Sequence, residues 1–357
     1  MVNSTALKTE GLALRYGIYV VEGAFLVLFN GIIVAAIMGH RVLRERKELI
    51  LPAALAFCDL TDGLGAVLAG TGRNWMLYKG TAGVLVSRWQ CFLKPWNWVW
   101  IWSNHVMDPT LLALSLDRLI AVCWPLYHFG LSTVYAWLMV VLAWGPATLM
   151  WAYSTYLTST YCMAERNQLC HIEYVFDDQY YKVNKAWRVI LSTASVALYA
   201  VVIMVFWYRS QEEPAAGVSS QMQEYNKVQR NVTITLGISC VITFFLYVLP
   251  TLLRWGMTYM TNFDMKSGAV AAIFSLSYIV ENFNKMANIF LYSMRIKTVR
   301  LGIKYLFKCQ LLTESALKRE QTQQVNNNNT QHVEMKQNNK ETPKANLNRG
   351  EVIVQHA

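Results

Sequence analysis

The sequence predicts an all-α fold: a seven-transmembrane helix bundle with a short amphipathic eighth helix and a disordered tail. Three observations predict it. First, 54% of the 357 residues are hydrophobic and only 15% are charged, against roughly 25% charged in an ordinary soluble domain. Second, seven long apolar stretches run through the chain. Third, the excess of Lys and Arg, a net charge of +10, gathers beside those stretches and in the tail, as at a membrane surface. With 13 Trp, 19 Tyr and 14 Phe, a soluble chain of this length would expose a large apolar surface. The composition therefore excludes a cytosolic enzyme, a disordered scaffold and a disulfide-stapled secreted domain. The lipid bilayer is the expected environment, and no nucleic acid is expected as a partner.

The apolar stretches cover about 16–39, 50–71, 92–117, 134–157, 187–208, 231–256 and 268–293. Each is close to the ~20 residues that carry a helix across hydrocarbon. Every backbone amide there needs an internal partner, and a run such as Ala200-Val201-Val202-Ile203-Met204-Val205-Phe206 lacks the alternation of a barrel strand. Residues 1–15 hold Lys8, Glu10 and Arg15 and no apolar core, so helix 1 is expected to be an uncleaved anchor. Arg41, Arg44, Arg46 and Lys47 follow that helix, whereas only Lys8 and Arg15 precede it. This bias places the N-terminus outside, where Asn3-Ser4-Thr5 would be a usable glycosylation sequon. Seven crossings then bring the C-terminus to the cytosol.

After the seventh stretch, Ile296, Val299, Ile303, Leu306 and Phe307 recur at helical spacing among basic residues. This predicts a helix lying on an anionic leaflet over 294–309. Cys309 closes it, as a lipidation candidate or a plain thiol. The polar tail, 310–357, includes four consecutive asparagines at 326–329 and has too little apolar surface to build a core. The expected division is therefore 1–15 extracellular, 16–293 the helix bundle, 294–309 the surface helix and 310–357 the tail.

Polar groups inside spanning helices are costly and mark function. They occur here as Asn30 in helix 1, Asp59 in helix 2, Asp108 and then Asp117-Arg118-Leu119 in helix 3, and Lys285 and Asn288 in helix 7. Tyr208 closes helix 5, Pro250 interrupts helix 6, and Tyr292 follows Asn288-Ile289-Phe290-Leu291. In this order and at these depths the set, over about 16–309, resembles the rhodopsin-like (class A) family of G-protein-coupled receptors. Asp117-Arg118-Leu119 is similar to the family's Asp-Arg-Tyr. Asn288 to Tyr292 is similar to its Asn-Pro-x-x-Tyr, with Ile289 at the proline. Asn30, Asp59 and Tyr208 match polar positions of helices 1, 2 and 5. The short loops, helix 6 and the Asn-rich tail resemble nematode serpentine chemoreceptors. Two departures stand out. Val248 occupies the place of the helix 6 tryptophan and Tyr247 that of the preceding cysteine, so a tryptophan switch is absent there. Without a proline at 289, helix 7 is expected to be straighter.

The resemblance implies a plasma-membrane receptor that passes binding of an extracellular small molecule or peptide to a heterotrimeric G protein. In the resting state Arg118 would pair with Asp117. In the active state helix 6 would swing about Pro250, and Arg118 would turn toward Tyr208 and Tyr292. It also implies a disulfide between the top of helix 3 and the next outer loop, Cys91–Cys170 or Cys91–Cys162. At about 100° per residue, Leu111, Asn104 and Trp100 fall on the Arg118 face of helix 3, which makes Trp100 and Asn104 ligand-pocket candidates. Glu281 shares the face of Asn288 and would counter a cationic ligand, or else pair internally with Lys285 or Arg254. No helix 3 aspartate stands where amine receptors of the family hold one.

A buried ammonium needs a partner, and for Lys285 the candidates are Asp59 and Asp108. The carboxylate matching Asp59 resembles a sodium ligand, so Lys285 is expected to take the cation's place. Rival readings are a retinal photoreceptor through Lys285 and a ligand-gated channel or transporter. In opsins the lysine corresponds to position 282, which is Asn282 here, and no repeat or ring of charge supports transport. No metal-ligand cluster or Ser-His-Asp set is legible, so no enzyme activity, metal or cofactor is expected.

Overall fold

The computed structural model describes residues 4–160, 165–172, 175–176, 178–210, 220–259, 268–317 and 319. Among these residues it contains the seven long helical rods. The first is α1 (Ser4–Gly39), which begins well before the apolar stretch. A short α2 (Arg41–Arg44) leads to the second rod, α3 (Lys47–Tyr78). The third apolar stretch divides in two. Ser87 caps α4 (Arg88–Phe92) with a reciprocal pair of bonds to Gln90, each 3.1 Å. Pro95 then opens α5 (Pro95–Cys123), where its fixed φ suits the first turn and its missing N–H costs nothing. The third rod runs past Asp117-Arg118 and stops at Trp124, because a residue before proline disfavours helical ψ. Pro125 begins α6 (Pro125–Gly130), and α7 (Thr133–Thr160) is the fourth rod.

A two-stranded antiparallel ribbon, β1 (Leu85–Ser87) with β2 (Glu165–Asn167), joins the loops before α4 and after α7, with Val86 opposite Arg166. The fifth rod is α8 (Asp178–Ser210). The sixth consists of α9 (Ser220–Thr243), a π-helical turn at Phe244–Val248 and α10 (Leu249–Tyr259). Pro250 has no N–H to give and its ring crowds the carbonyl of Leu246, which lies inside that turn; the wider π turn absorbs both. The seventh rod, α11 (Gly268–Arg295), is unbroken, as a chain with Ile289 in place of proline should be. The surface helix is α12 (Lys297–Phe307). Gly302 lets it close on Leu43, and His40 Nε2 donates to the Gly302 carbonyl at 3.0 Å. Residues 312–357 form a separate unit, of which only the part up to 319 is described.

Rods α1 and α3 meet backbone to backbone. A Cβ on Gly23 would sit 2.6 Å from the Gly63 carbonyl, and one on Gly63 would sit 2.7 Å from Leu26 Cβ. Small residues of this kind let helices approach closely where no hydrophobic effect drives them together. At the disulfide end, Tyr16, Tyr19, Phe92, Trp96, Trp100 and Phe176 form a buried aromatic cluster. On α7, Leu138, Val141, Leu142 and Leu149 are exposed, the lipid-facing pattern of a spanning rod. Five described stretches are long and apolar enough to cross a bilayer: Glu10–Gly39, Lys47–Tyr78, Thr133–Thr160, Gln179–Arg209 and Thr233–Leu253. Rod α5 is not among them because its interior face carries Asn97, His105, Asp108, Asp117 and Arg118, all buried.

Candidate functional site

The buried polar side chains form a spine along the bundle. At one end, Cys91 and Cys170 are joined as a disulfide with Cα atoms 5.1 Å apart. Cys162, the other candidate partner, lies outside the described residues. Two polar groups of the rods hold the joined loop down. Arg73 of α3 donates to the carbonyls of Leu169 (2.9 Å) and Cys170 (3.1 Å), and Asn97 of α5 donates to that of Cys91 (2.7 Å). The Arg73 guanidinium also lies 5.6 Å from the rings of Tyr16 and Trp100. Trp100 is therefore a packing residue here, buried against Arg73 and Tyr19 and covering Gly65, and does not line an opening. Asn104, one turn further in, is half-buried.

Midway along the bundle, three rods meet at one carboxylate. Arg188 of α8 donates from Nε to Asp108 Oδ2 (3.0 Å) and from Nη2 to the Tyr247 hydroxyl (2.8 Å); that hydroxyl donates to Asp108 Oδ1 at 2.7 Å. Tyr247 belongs to the π turn, so this triad ties the irregular part of the sixth rod to α5 and α8. Asp108 is thus engaged by Arg188 and is not the Lys285 partner. Lys285 instead forms an ion pair with Asp62, across α3 and α11, and both are buried. Asp59 is buried one turn from Asp62 and feels the Lys285 charge. The correction has a simple cause. Positions 59 and 62 share one face of α3, and only the rotation of α11 decides which carboxylate meets the ammonium. Beside this pair, Asn282 donates to Glu22 of α1 at 2.8 Å. Asn30 is buried too, with its Nδ2 unbonded.

Rods six and seven are connected by side chains at successive turns. Ser239 donates to Asn288 Oδ1, Thr243 to Asn284 Oδ1 (3.0 Å) and Thr251 to Glu281 (3.1 Å). Ser239 and Thr243 also line a small cavity of about 30 Å³, completed by Ser115, Ser192, Ser195 and Tyr199.

At the α12 end, Arg118 is 1% exposed. Its Nε donates to Asp117 Oδ2 at 2.9 Å, and His128 Nε2 of α6 bonds the other oxygen at 3.0 Å. Lys47 caps the same turn, donating to the carbonyls of His128, Phe129 (3.1 Å) and Leu131 (2.7 Å). A basic group at a helix C-terminus satisfies carbonyls that the helix cannot. Tyr199, not Tyr208, is the α8 phenol within electrostatic reach of Arg118. Tyr208 is 68% exposed on the flank of α8. The side chains of Tyr292 and Arg254, and Asn3, lie outside the described residues. Cys309 is exposed just after α12.

Reading the sequence missed Asp62, Arg73, His128, Arg188, Tyr199 and the role of the Tyr247 hydroxyl. For Asp62 and Arg188 there was a signal, since each is an ionisable group within an apolar stretch, and Arg73 lies just past the end of one. Among the described residues no cluster of His, Cys, Asp and Glu has the makings of a metal site.

A family model described as 7 transmembrane receptor (rhodopsin family) matches residues 29–292. No curated protein sequence matches the chain.

Proposed function

The chain belongs to the rhodopsin family of seven-transmembrane receptors, and from that premise we propose that it couples an extracellular chemical cue to a heterotrimeric G protein through Arg118. Membership makes it a multi-pass plasma-membrane receptor and not an enzyme. The finer reading is a chemosensory, peptide or small-molecule receptor with the disulfide end outside and the α12 end in the cytosol. Basic flanks after helix 1 support that orientation.

One observation carries the proposal. Arg118 is buried at the α12 end, closed by Asp117, which is itself held by His128. Such a guanidinium is available only after the neighbouring rods part. A bound ligand would stabilise the parted arrangement. The sixth rod would swing about its π turn and Pro250, and the cleft would accept the C-terminal helix of a G-protein α subunit. Tyr199 is the first phenol the released Arg118 would meet; Tyr208 and Tyr292 are candidates for later steps. The test is Arg118→Ala in cells with a second-messenger readout. The variant should reach the surface at wild-type level and give no response to a ligand that activates wild type; a full response would overturn the assignment.

We further propose that the Lys285 ammonium does for Asp62 and Asp59 what a sodium ion would do, so that ligand affinity is insensitive to sodium. Lys285→Met should introduce sodium dependence, measured by radioligand or thermal-shift titration in sodium against choline. Identical sodium dependence in both proteins would defeat this reading. A Schiff-base role for Lys285 has less support, because Asp62 already engages its amine and the position of the opsin lysine is Asn282.

A further inference from the structure

We infer that Arg188 is the anchor for a carboxylate-bearing ligand, and that the ligand acts by taking the Tyr247 oxygen's place on its guanidinium. The inference rests on the receptor reading above and names the ligand class for it.

A guanidinium offers five N–H donors in a planar fork and accepts none. Arg188 uses Nε on Asp108 and Nη2 on Tyr247, and among the described residues Nη1 has no bonding partner. The two members of the ion pair also differ in access. The Arg188 side chain is 22% exposed, whereas Asp108 is 1% exposed. The cation is therefore the accessible member of the pair. The neighbouring positions share this unspent capacity. Asn184 lies one turn from Arg188 toward the disulfide end, on the same face of α8. It is buried, with an Oδ1 that has no donor. Asn104, one turn from Asp108 on rod α5, is half-buried. Buried polar atoms are normally paired. A cation with an open edge, and an unpaired amide oxygen one turn along the same helix face, therefore describe a recognition surface, with a bidentate carboxylate on the fork and a second hydrogen-bonding group on Asn184.

The same contact reaches the moving part. A carboxylate seated on Nη1 and Nη2 competes with the Tyr247 oxygen for Nη2. Tyr247 then keeps only its bond to Asp108, and the π turn loses one of the two hydrogen bonds that its hydroxyl makes to the third and fifth rods. The exchange puts an anion where a neutral phenol was, so Arg188 then faces two carboxylates, and the internal one, Asp108, opposes the ligand. No bond beyond hydrogen bonds forms or breaks.

The experiment uses the full chain in lipid nanodiscs. The probes are 2-hydroxy acids of increasing chain length, from lactate to 2-hydroxyoctanoate, each beside its primary amide, and 2-amino alcohols as cationic controls. Thermal unfolding and guanine-nucleotide exchange on added G protein are both read. At least one acid should raise the unfolding temperature of wild type while its amide does not. Arg188→Gln should weaken that acid by about 10-fold or more, as loss of a charge-assisted pair does. Asp108→Asn should tighten it, because Arg188 is then released from its internal acid. Tyr247→Phe should keep the binding and lose part of the acid-driven exchange. If Arg188→Gln does not fold, the Asp108→Asn result decides alone: tighter acid binding supports the anchor, and unchanged or weaker binding overturns it. Equal shifts by acids and amides, or amino alcohols that bind wild type and fail on Asp108→Asn, also overturn it. Arg118→Ala in the same nanodiscs separates the two readings. Acid-induced thermal shifts without any nucleotide exchange in wild type would sink the signalling proposal and leave the anchor standing.

Discussion

The interface between α1 and α3 and the interface between the sixth and seventh rods are built in opposite ways. The first is dry and backbone-close, set by Gly23 and Gly63. The second is held by hydroxyls on amides and a carboxylate: Ser239 on Asn288, Thr243 on Asn284, Thr251 on Glu281. Close van der Waals packing has no second arrangement of similar energy, because any shift opens a void or a clash. A ladder of short polar side chains can exchange partners, with water or with one another, and keep most of its bonds. The contrast agrees with the proposal that the α1–α3 side is the frame and the sixth rod moves. The π turn and Pro250 lie in the rod that is proposed to move.

The frame side should fail hardest. Gly63→Leu pushes a side chain into Leu26 and the Gly23 backbone, where even a Cβ is too close. Ordinary overpacking costs about 1–3 kcal/mol, and here backbone has to move, so the expected outcome is no monodisperse receptor by fluorescence-detected size exclusion. A well-folded Gly63→Leu protein would show that the helices are not in contact at this point. Lys285→Met comes next. It leaves Asp62 buried and unpaired, at about 3–5 kcal/mol. Lys285→Met with Asp62→Leu should recover much of that loss in a thermal-melt double-mutant cycle, whereas pairing the lysine mutation with Asp59→Leu should recover less. Equal rescue by both would mean that the ammonium is shared. Cys91→Ser follows, at about 2–4 kcal/mol. Part of the loop should stay in place without the disulfide, because Arg73 and Asn97 still hold its carbonyls.

The two sides were not equally legible in the sequence. The rods, the amphipathic helix and the Asp117-Arg118 turn are written in apolar periodicity and in residue type, so they can be read one segment at a time. The ion pairs are properties of two segments at once. Asp59 and Asp62 look alike from α3, and Asp108 looks like a partner for Lys285 until α8 brings Arg188 to it. Trp100 has the right face for a pocket, and only the neighbouring Gly65 and Arg73 show that it is covered. Tyr208 has the right position in its motif, yet α8 turns Tyr199 inward and leaves Tyr208 on the flank. Arg73 had no legible partner because its partners are loop carbonyls, which every residue possesses.

The smallest expected effect tests the comparison most directly. Thr243→Val removes one rung between the sixth and seventh rods and keeps the side-chain shape. Interhelical hydrogen bonds in membranes average about 0.6 kcal/mol, so the melting temperature should hardly move. The rung is made in the closed arrangement, so its loss should shift the balance toward the open one. At about 0.6 kcal/mol that is roughly a threefold rise in ligand-independent nucleotide exchange. Asn284→Leu alone should do the same, and the double variant should add little, because both substitutions break a single bond. If basal exchange falls instead, the rung belongs to the open state, and the seventh rod travels with the sixth when the receptor activates.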